Sequence, residues 1–165
     1  MIELETLSAE TFRPFGQVAQ PGLGQVKEIR DGTVRLTRSP ALLDRDDEAV
    51  DLALDFYEAM REKGRIDILQ AENHPHSAQL FVPLDLVPYL VIVWPGHPDE
   101  TQPRAFVGQG AQAVIYAPGI WHHGIVALQR QTPFLSWMWR CIGGGDTEFA
   151  RLAAPLSLDL AGIGT

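Results

Sequence analysis

A small all-β domain, an antiparallel barrel or sandwich of many short strands, is the fold class this sequence predicts, and three observations predict it. From Ile66 onward, short apolar and β-branched runs follow one another closely. Proline, glycine or Asp-containing turns separate several of them. A succession of short strands is best served by closure, because closure covers the unpaired edges that invite aggregation. At 165 residues the chain supports one core and is too short for two, so a single domain over residues 1–165 is expected.

The elements follow in order. "LSAETFRPFG" opens with a capping-like Ser8 and a short helical pattern that Pro14 and Gly16 interrupt. "QPGLGQ" is loop, and "TVRLTRS" alternates by twos as a strand does. "LLDRDDEAVDLALDFYEAMREKG" is ambiguous: its Ala, Leu and Glu content suggests helix, while "LALDFYEA" also alternates. The strands then come as "IDILQAENH", "SAQLFVPL", "YLVIVWP", "RAFVGQ", "AVIYAPG", "HHGIVAL" and "TPFLSWMWRCI". Near "DTEFARLA" a short helix or turn is expected, so the fold is all-β with a few short peripheral helices.

Composition narrows the partners. Hydrophobic residues make up 45% and charged ones 21%, as in a soluble globular domain. A net charge of -8 argues against nucleic acid and anionic membranes, and leaves a small metabolite as the expected partner. The single cysteine, Cys141, forms no internal disulfide, which suits the cytoplasm. "MIELETLSAE" has no signal-peptide pattern, and "LVPYLVIVW" is too short to span a bilayer. "GGG" at Gly143–Gly145 lacks the strand-to-helix context of a phosphate loop.

Four of the five histidines fall in two stretches. In "AENHPHSAQLFVPL", Glu72, His74 and His76 share a parity and would face one cavity if the segment is extended. Two imidazoles with a carboxylate or amide at such spacing can hold a divalent metal, given another ligand from elsewhere. In "YAPGIWHHGI", a Pro118-Gly119 turn feeds Trp121, His122 and His123. Neighbouring strand residues point to opposite faces, so His122 is expected to face a cavity and His123 the other side. A structural or surface role is the competing reading for His76 and His123, a solvated loop for His97, and a core or pocket wall for Trp121.

The turn Pro-Gly-x-x-His, together with His74-Pro75-His76 upstream, is similar to the two motifs of cupin barrels, although Gln79 stands near where a glutamate is expected. "ENHPHSAQLFVPL", "RAFVGQGAQAVIYAPGIWHH" and "LSAETFRPFGQV" together resemble the ureidoglycolate lyases, from Leu7 to about Arg140. Glu72, His74, Pro75, Gln79 and Phe81 meet that family's first pattern, and Trp121, His122 and His123 its second. Two departures stand out. Tyr57-Glu58-Ala59 occupies the place of a Phe-Arg-Ala element, and "FLSWMWR" lacks the aspartate that precedes the equivalent of Arg140.

The resemblance implies a cupin-like double-stranded β-barrel of jelly-roll type, a homodimer, and a carbon–nitrogen lyase of allantoin degradation in purine metabolism. Such an enzyme releases urea from ureidoglycolate and leaves glyoxylate, by acid/base or metal-assisted elimination. It implies catalytic roles for Glu72, His74, His122 and Gln79, and substrate contacts from Arg104, Tyr116, Trp121 and Arg140. A divalent metal on His74, His76 and His122 is the expected cofactor if one is used. The alternatives are a same-fold enzyme for another small hydroxy acid or amide, which Glu58 would favour, and a non-catalytic metabolite-binding cupin.

Overall fold

The computed structural model describes residues 2–163, and among them it contains strands, turns and loops but no helix. Fourteen strands follow in chain order: β1 (Leu4–Thr6), β2 (Gly16–Ala19), β3 (Gln25–Ile29), β4 (Val34–Arg38), β5 (Ala49–Ala59), β6 (Arg65–Asn73) and β7 (Gln79–Pro83). Then come β8 (Tyr89–Trp94), β9 (Arg104–Gly108), β10 (Ala113–Tyr116), β11 (Trp121–His122), β12 (Val126–Ala127), β13 (Thr132–Cys141) and β14 (Glu148–Asp159). Among the described residues no helix is long and apolar enough to cross a membrane.

The strands form two main sheets and a separate hairpin. One sheet runs β1-β9-β8-β11-β6-β14, with β12 beside β11 on β8; the other runs β2-β10-β7-β13-β5; β3 and β4 pair alone. Between the main sheets lies a core of Val18, Phe81, Val114, Tyr116 and Phe134 from one side and Tyr89, Val91, Val93 and Phe106 from the other. A second core, with Ile68, Leu90, Ile92, Trp94 and Leu158, covers the opposite face of the seven-stranded sheet. β8 contributes alternate residues to both cores, so every one of its residues is buried. That double burial is why "YLVIVW" reads as a continuous apolar run. A central strand buried on both faces offers neither edge nor face to a partner. Among the described residues no strand of one main sheet pairs with a strand of the other; an isolated bridge, Arg61 with Ala127, joins the segment just past β5 to β12.

Two expected helices are absent. At residues 8–15 the backbone makes turns: Phe12 donates to the Ser8 carbonyl at 3.0 Å and Phe15 to that of Phe12 at 2.9 Å. Ser8 does cap this turn, its hydroxyl accepting from the Thr11 amide at 3.1 Å. The turn goes no further because Phe12 and Phe15 are both inserted between the sheets, where their rings meet Phe106 at 5.4 and 5.9 Å. Each such tilted or edge contact adds about 0.5–1.5 kcal/mol beyond burial. "EFARLAAPLSLD" forms β14, because β6 presents an edge that it completes, with a register shift between Arg151 and Leu156. The ambiguous segment resolves as β5, a long edge strand on β13. There the alternation won over the helix propensity of its Ala and Leu, since pairing context overrides intrinsic preference.

Candidate active site

The two histidine stretches meet at one end of the space between the sheets. Glu72 and His122 are directly opposite on the β6–β11 pair, so their side chains share a face. Gln79 is opposite Tyr116 on one side and Met138 on the other, across β10, β7 and β13. His74 lies just beyond β6. The Pro118-Gly119 turn joins the stretches physically: the Gly119 amide donates to the His74 carbonyl at 2.9 Å. Gly119 has φ 77, a conformation that a side chain resists, which explains a glycine in this turn.

Both imidazoles are oriented through Nδ1. His122 Nδ1 is 2.9 Å from the Ile120 carbonyl, and His74 Nδ1 is 3.1 Å from that of Asp146 and 3.1 Å from the Thr147 hydroxyl. A carbonyl can only accept, so each Nδ1 carries the proton and donates. Wherever a ring carries only that one proton, its Nε2 is a bare lone pair. The two Nε2 atoms point at one oxygen, Gln79 Oε1, at 3.1 Å from His74 and 3.2 Å from His122. Glu72 Oε1 adds a further acceptor 3.5 Å from His122 Nε2. The ligand atoms of Glu72, His74 and His122 all lie within 4.8 Å of one another, a group that could hold a metal ion. Four acceptors thus converge on one spot. A proton, a cation, or a donor from the Gln79 amide or a substrate would satisfy them.

The surroundings bias these groups. Burial, helped by the charge of His122, lowers the His74 pKa and keeps the ring neutral. For Glu72 burial acts upward, but His122, which in its protonated form donates to the carboxylate and adds its charge, outweighs it together with the charges of His74 and His123 and holds the carboxyl below its ordinary value. His122 is fully buried and stacks on the Tyr116 ring at 4.0 Å and 10°. Tyr116 is itself packed on Phe12 and Phe81, so the His122 ring rests on an aromatic floor. A cleft of about 190 Å³, lined by Gln70, Glu72, His122, His123 and Gly124, opens beside the cluster. A larger hollow of about 340 Å³ lies at Trp94, Pro98–Pro103 and the bulge of β14, and brings together no cluster of titratable groups.

Glu72, His74, Gln79 and His122, the expected catalytic set, are therefore together. Other expected members are elsewhere. His76 does not join the metal-capable group: its Nδ1 is 2.7 Å from Asp46, at the surface. The cause is local, because β6 ends at Asn73 and the shared parity of Glu72, His74 and His76 lapses at Pro75. Trp121, next to His122 on β11, points to the opposite face, against the second core and His97. Arg104 holds Glu5 with two hydrogen bonds, at 2.7 and 2.5 Å, and lies over the Phe15 and Phe106 rings. Tyr116 supports His122 from below, with its hydroxyl buried and unbonded. Arg140 lies on the face of β13 that carries Met138, paired with Asp55 at 2.5 Å. His123 departs from strict alternation: it is half-buried and lines the same cleft as His122, just past the end of β11. Glu58 is exposed, opposite Pro133 on the outer face of the five-stranded sheet.

Sequence reasoning missed Asp55 and Tyr57. Both face inward on β5, Tyr57 packing edge-on against Phe81 at 5.1 Å. The signal was the alternation in "LALDFYEA", which a firm strand assignment would have converted into a face.

The family model described as "Ureidoglycolate lyase" matches residues 1–156. The ureidoglycolate lyase of Brucella abortus biovar 1 (strain 9-941) is 32% identical over 135 residues, covering 81% of this chain and 80% of that protein. A putative ureidoglycolate lyase of Agrobacterium fabrum is 33% identical over 161 residues, covering 95% and 94%. Among solved structures, a dTDP sugar isomerase from Desulfovibrio desulfuricans G20 superposes with a TM-score of 0.48 at 13% identity, over 86% of this chain and 88% of the other. With its family pattern matched over nearly its whole length, the chain belongs to the ureidoglycolate lyase family.

Proposed function

We propose that this chain releases urea from ureidoglycolate at the Glu72, His74, Gln79 and His122 cluster, set in a cupin-like double-stranded β-barrel. One observation carries the reading: in a member of this family, two imidazole Nε2 lone pairs and a carboxylate converge on a single point beside an open cleft. In ureidoglycolate one carbon bears a hydroxyl, a ureido nitrogen and a carboxylate. The hydroxyl gives up its proton, the carbon–oxygen double bond of glyoxylate forms, the carbon–nitrogen bond breaks, and nitrogen gains a proton to leave as urea. On balance one proton passes from oxygen to nitrogen across the same carbon. A single imidazole that reaches both atoms is stoichiometrically enough.

His122 fits that role. Its Nε2 is free to accept, its Nδ1 is held by Ile120, and Glu72 at 3.5 Å stabilises the imidazolium that forms. Such proton transfer contributes about 10²–10⁴-fold to a rate. His74, kept neutral by burial, accepts from the ureido N–H, and Gln79 offers the paired donor and acceptor that match the rest of that group. Arg140 receives the carboxylate. Glu58, exposed on the outer face, places no like charge against it and does not favour a less acidic substrate.

The convergence of acceptors favours a second version on the same atoms. Nε2 of His74 and His122 with the carboxylate of Glu72 would hold a divalent cation, Gln79 Oε1 beside them. When bound, the cation supplies positive charge to substrate oxygens. Backbone bonds at both Nδ1 atoms orient the rings equally well for this arrangement.

The place of the reaction is allantoin degradation in the cytoplasm, and the working form is a homodimer. Support for the dimer lies on the outer face of the five-stranded sheet, where edge strand β5 exposes Leu52, Leu54 and Phe56 at 49%, 56% and 66%. An exposed apolar edge of that length calls for a cover, and a second copy provides one. The direct test is purified protein with ureidoglycolate, following glyoxylate and urea. Release of both in equal amounts is expected, with chelator-treated protein separating the two versions. Binding without turnover would instead make it a metabolite-binding cupin.

A further inference from the structure

Arg140 is not held by the residue across from it. Its partner in the β13–β5 register is Asp51, whereas its guanidinium meets Asp55, which is opposite Ser136. An ion pair at 2.5 Å over that offset requires the side chain to lie back along its own strand. It then passes over Met138 and Ala53, the pair between them on the same face. Met138 in turn touches Gln79, whose amide Nε2 is 3.8 Å from its sulfur. The guanidinium is thereby drawn from the strand end toward the histidine cluster. Only Nη2 is hydrogen-bonded among the described residues, which leaves Nε and Nη1 as free donors. Tyr57 follows Asp55 on the same face. Its ring packs edge-on against Phe81, and its hydroxyl pKa is raised by burial, then by the charges of Glu72 and Asp55, and opposed by Arg140.

We propose that Asp55 is the positioning residue of the carboxylate anchor: it folds Arg140 over the mouth beside Tyr57, so that the substrate anion is received between the guanidinium and the phenol. The inference rests on the lyase reading above and deepens it. A geometric role and a merely electrostatic one have opposite consequences. Asp55 partly neutralises Arg140, so if the pair were only a surface salt bridge, removing the acid would strengthen anion binding. If Asp55 sets the reach of Arg140, removing it releases the side chain and binding weakens.

The experiment titrates the wild-type chain, Asp55→Asn, Asp55→Glu, Arg140→Gln and Tyr57→Phe with glycolate, a stable small hydroxy acid, and with urea as a probe lacking a carboxylate. Asp55→Asn should bind glycolate about tenfold more weakly, the scale of one charge-assisted hydrogen bond, with urea binding unchanged. Asp55→Glu should restore part of the loss, Arg140→Gln should lose more, and Tyr57→Phe should lose a smaller part. Equal or tighter glycolate binding by Asp55→Asn overturns the proposal, as does a wild-type chain that does not bind glycolate at all. Circular dichroism of each variant confirms folding, and the urea titration reports general damage to the site. Turnover of ureidoglycolate is read separately. Its absence with the glycolate pattern intact sinks the lyase reading and leaves the anchor standing. Turnover with Asp55→Asn unimpaired in glycolate binding does the reverse.

Discussion

Two polar groups project between the sheets from the same face of the seven-stranded sheet, and they differ in one respect. At His122 Nε2, atoms that can accept gather: Gln79 Oε1 at 3.2 Å, Glu72 Oε1 at 3.5 Å, and His74 Nε2 on the far side of that oxygen. At Arg104, separated from His122 by Val93 in the same cross-strand row, two donors meet the two oxygens of Glu5. The Arg104 pair brings two donors to two acceptors, while the His122 cluster gathers four atoms that can each accept. Residue type alone does not separate a site from a structural ion pair; the balance of donors and acceptors does.

That contrast is open to direct challenge. The largest effect is expected at His122 itself. His122→Ala should lower turnover by about 10²–10⁴-fold, the range of a lost acid–base group. Circular dichroism should remain that of the wild type, since the ring's aromatic floor is carried by Tyr116, Phe12 and Phe81. A next step sharpens the acceptor argument. Gln79→Glu adds a second carboxylate to the cluster, so divalent zinc or manganese should bind at least about tenfold more tightly by calorimetry, as added ligand charge does at oxygen-rich sites. No gain in metal affinity would mean that these four atoms do not converge as described.

The satisfied pair should behave differently. Arg104→Gln is expected to leave turnover within about twofold and to cost no more than about 1 kcal/mol in a denaturant titration, the usual scale of an exposed ion pair. The pH dependence carries a definite sign. The hydrogen bond from Arg104, with its charge in support, holds the Glu5 pKa below 4.5 against the opposing effect of burial. Its stabilisation is therefore full above pH 4.5 and declines as pH falls below that value. Glu5→Gln should remove this part of the acid limb and leave the neutral range nearly untouched. A loss of activity in Arg104→Gln comparable to that of His122→Ala would erase the distinction between the two groups. On the opposite face of the five-stranded sheet, Phe56→Asp should shift light scattering from about twice the chain mass to a single chain, with activity per site kept within severalfold.

Much of the fold and of the candidate site was legible in the sequence. Glu72, His74, Gln79 and His122 were marked by two motifs, and local turns with a single sheet pairing deliver them. His76 was marked as well but is not delivered, because the proline between it and His74 ends the shared parity, and that is a backbone outcome. Arg104 and Trp121 stood beside the motifs in sequence and yet serve other contacts, since strand alternation and a distant Glu5 determine where they go. Asp55 and Tyr57 were hidden by the competition between helix propensity and pairing in one segment. Only the long-range register with β13 resolved it.

The central claim is that the acceptor-lined cluster is where the carbon–nitrogen bond breaks. It is tested most directly by measuring glyoxylate release from ureidoglycolate at saturating substrate for the wild-type chain and for Gln79→Leu, which removes the converging oxygen but keeps the apolar stem. The account predicts steady release by the wild-type chain and a drop of about 10²-fold or more in the folded variant, as when one positioned polar group is lost from a reacting centre. Wild-type turnover that Gln79→Leu retains within a few fold would contradict it.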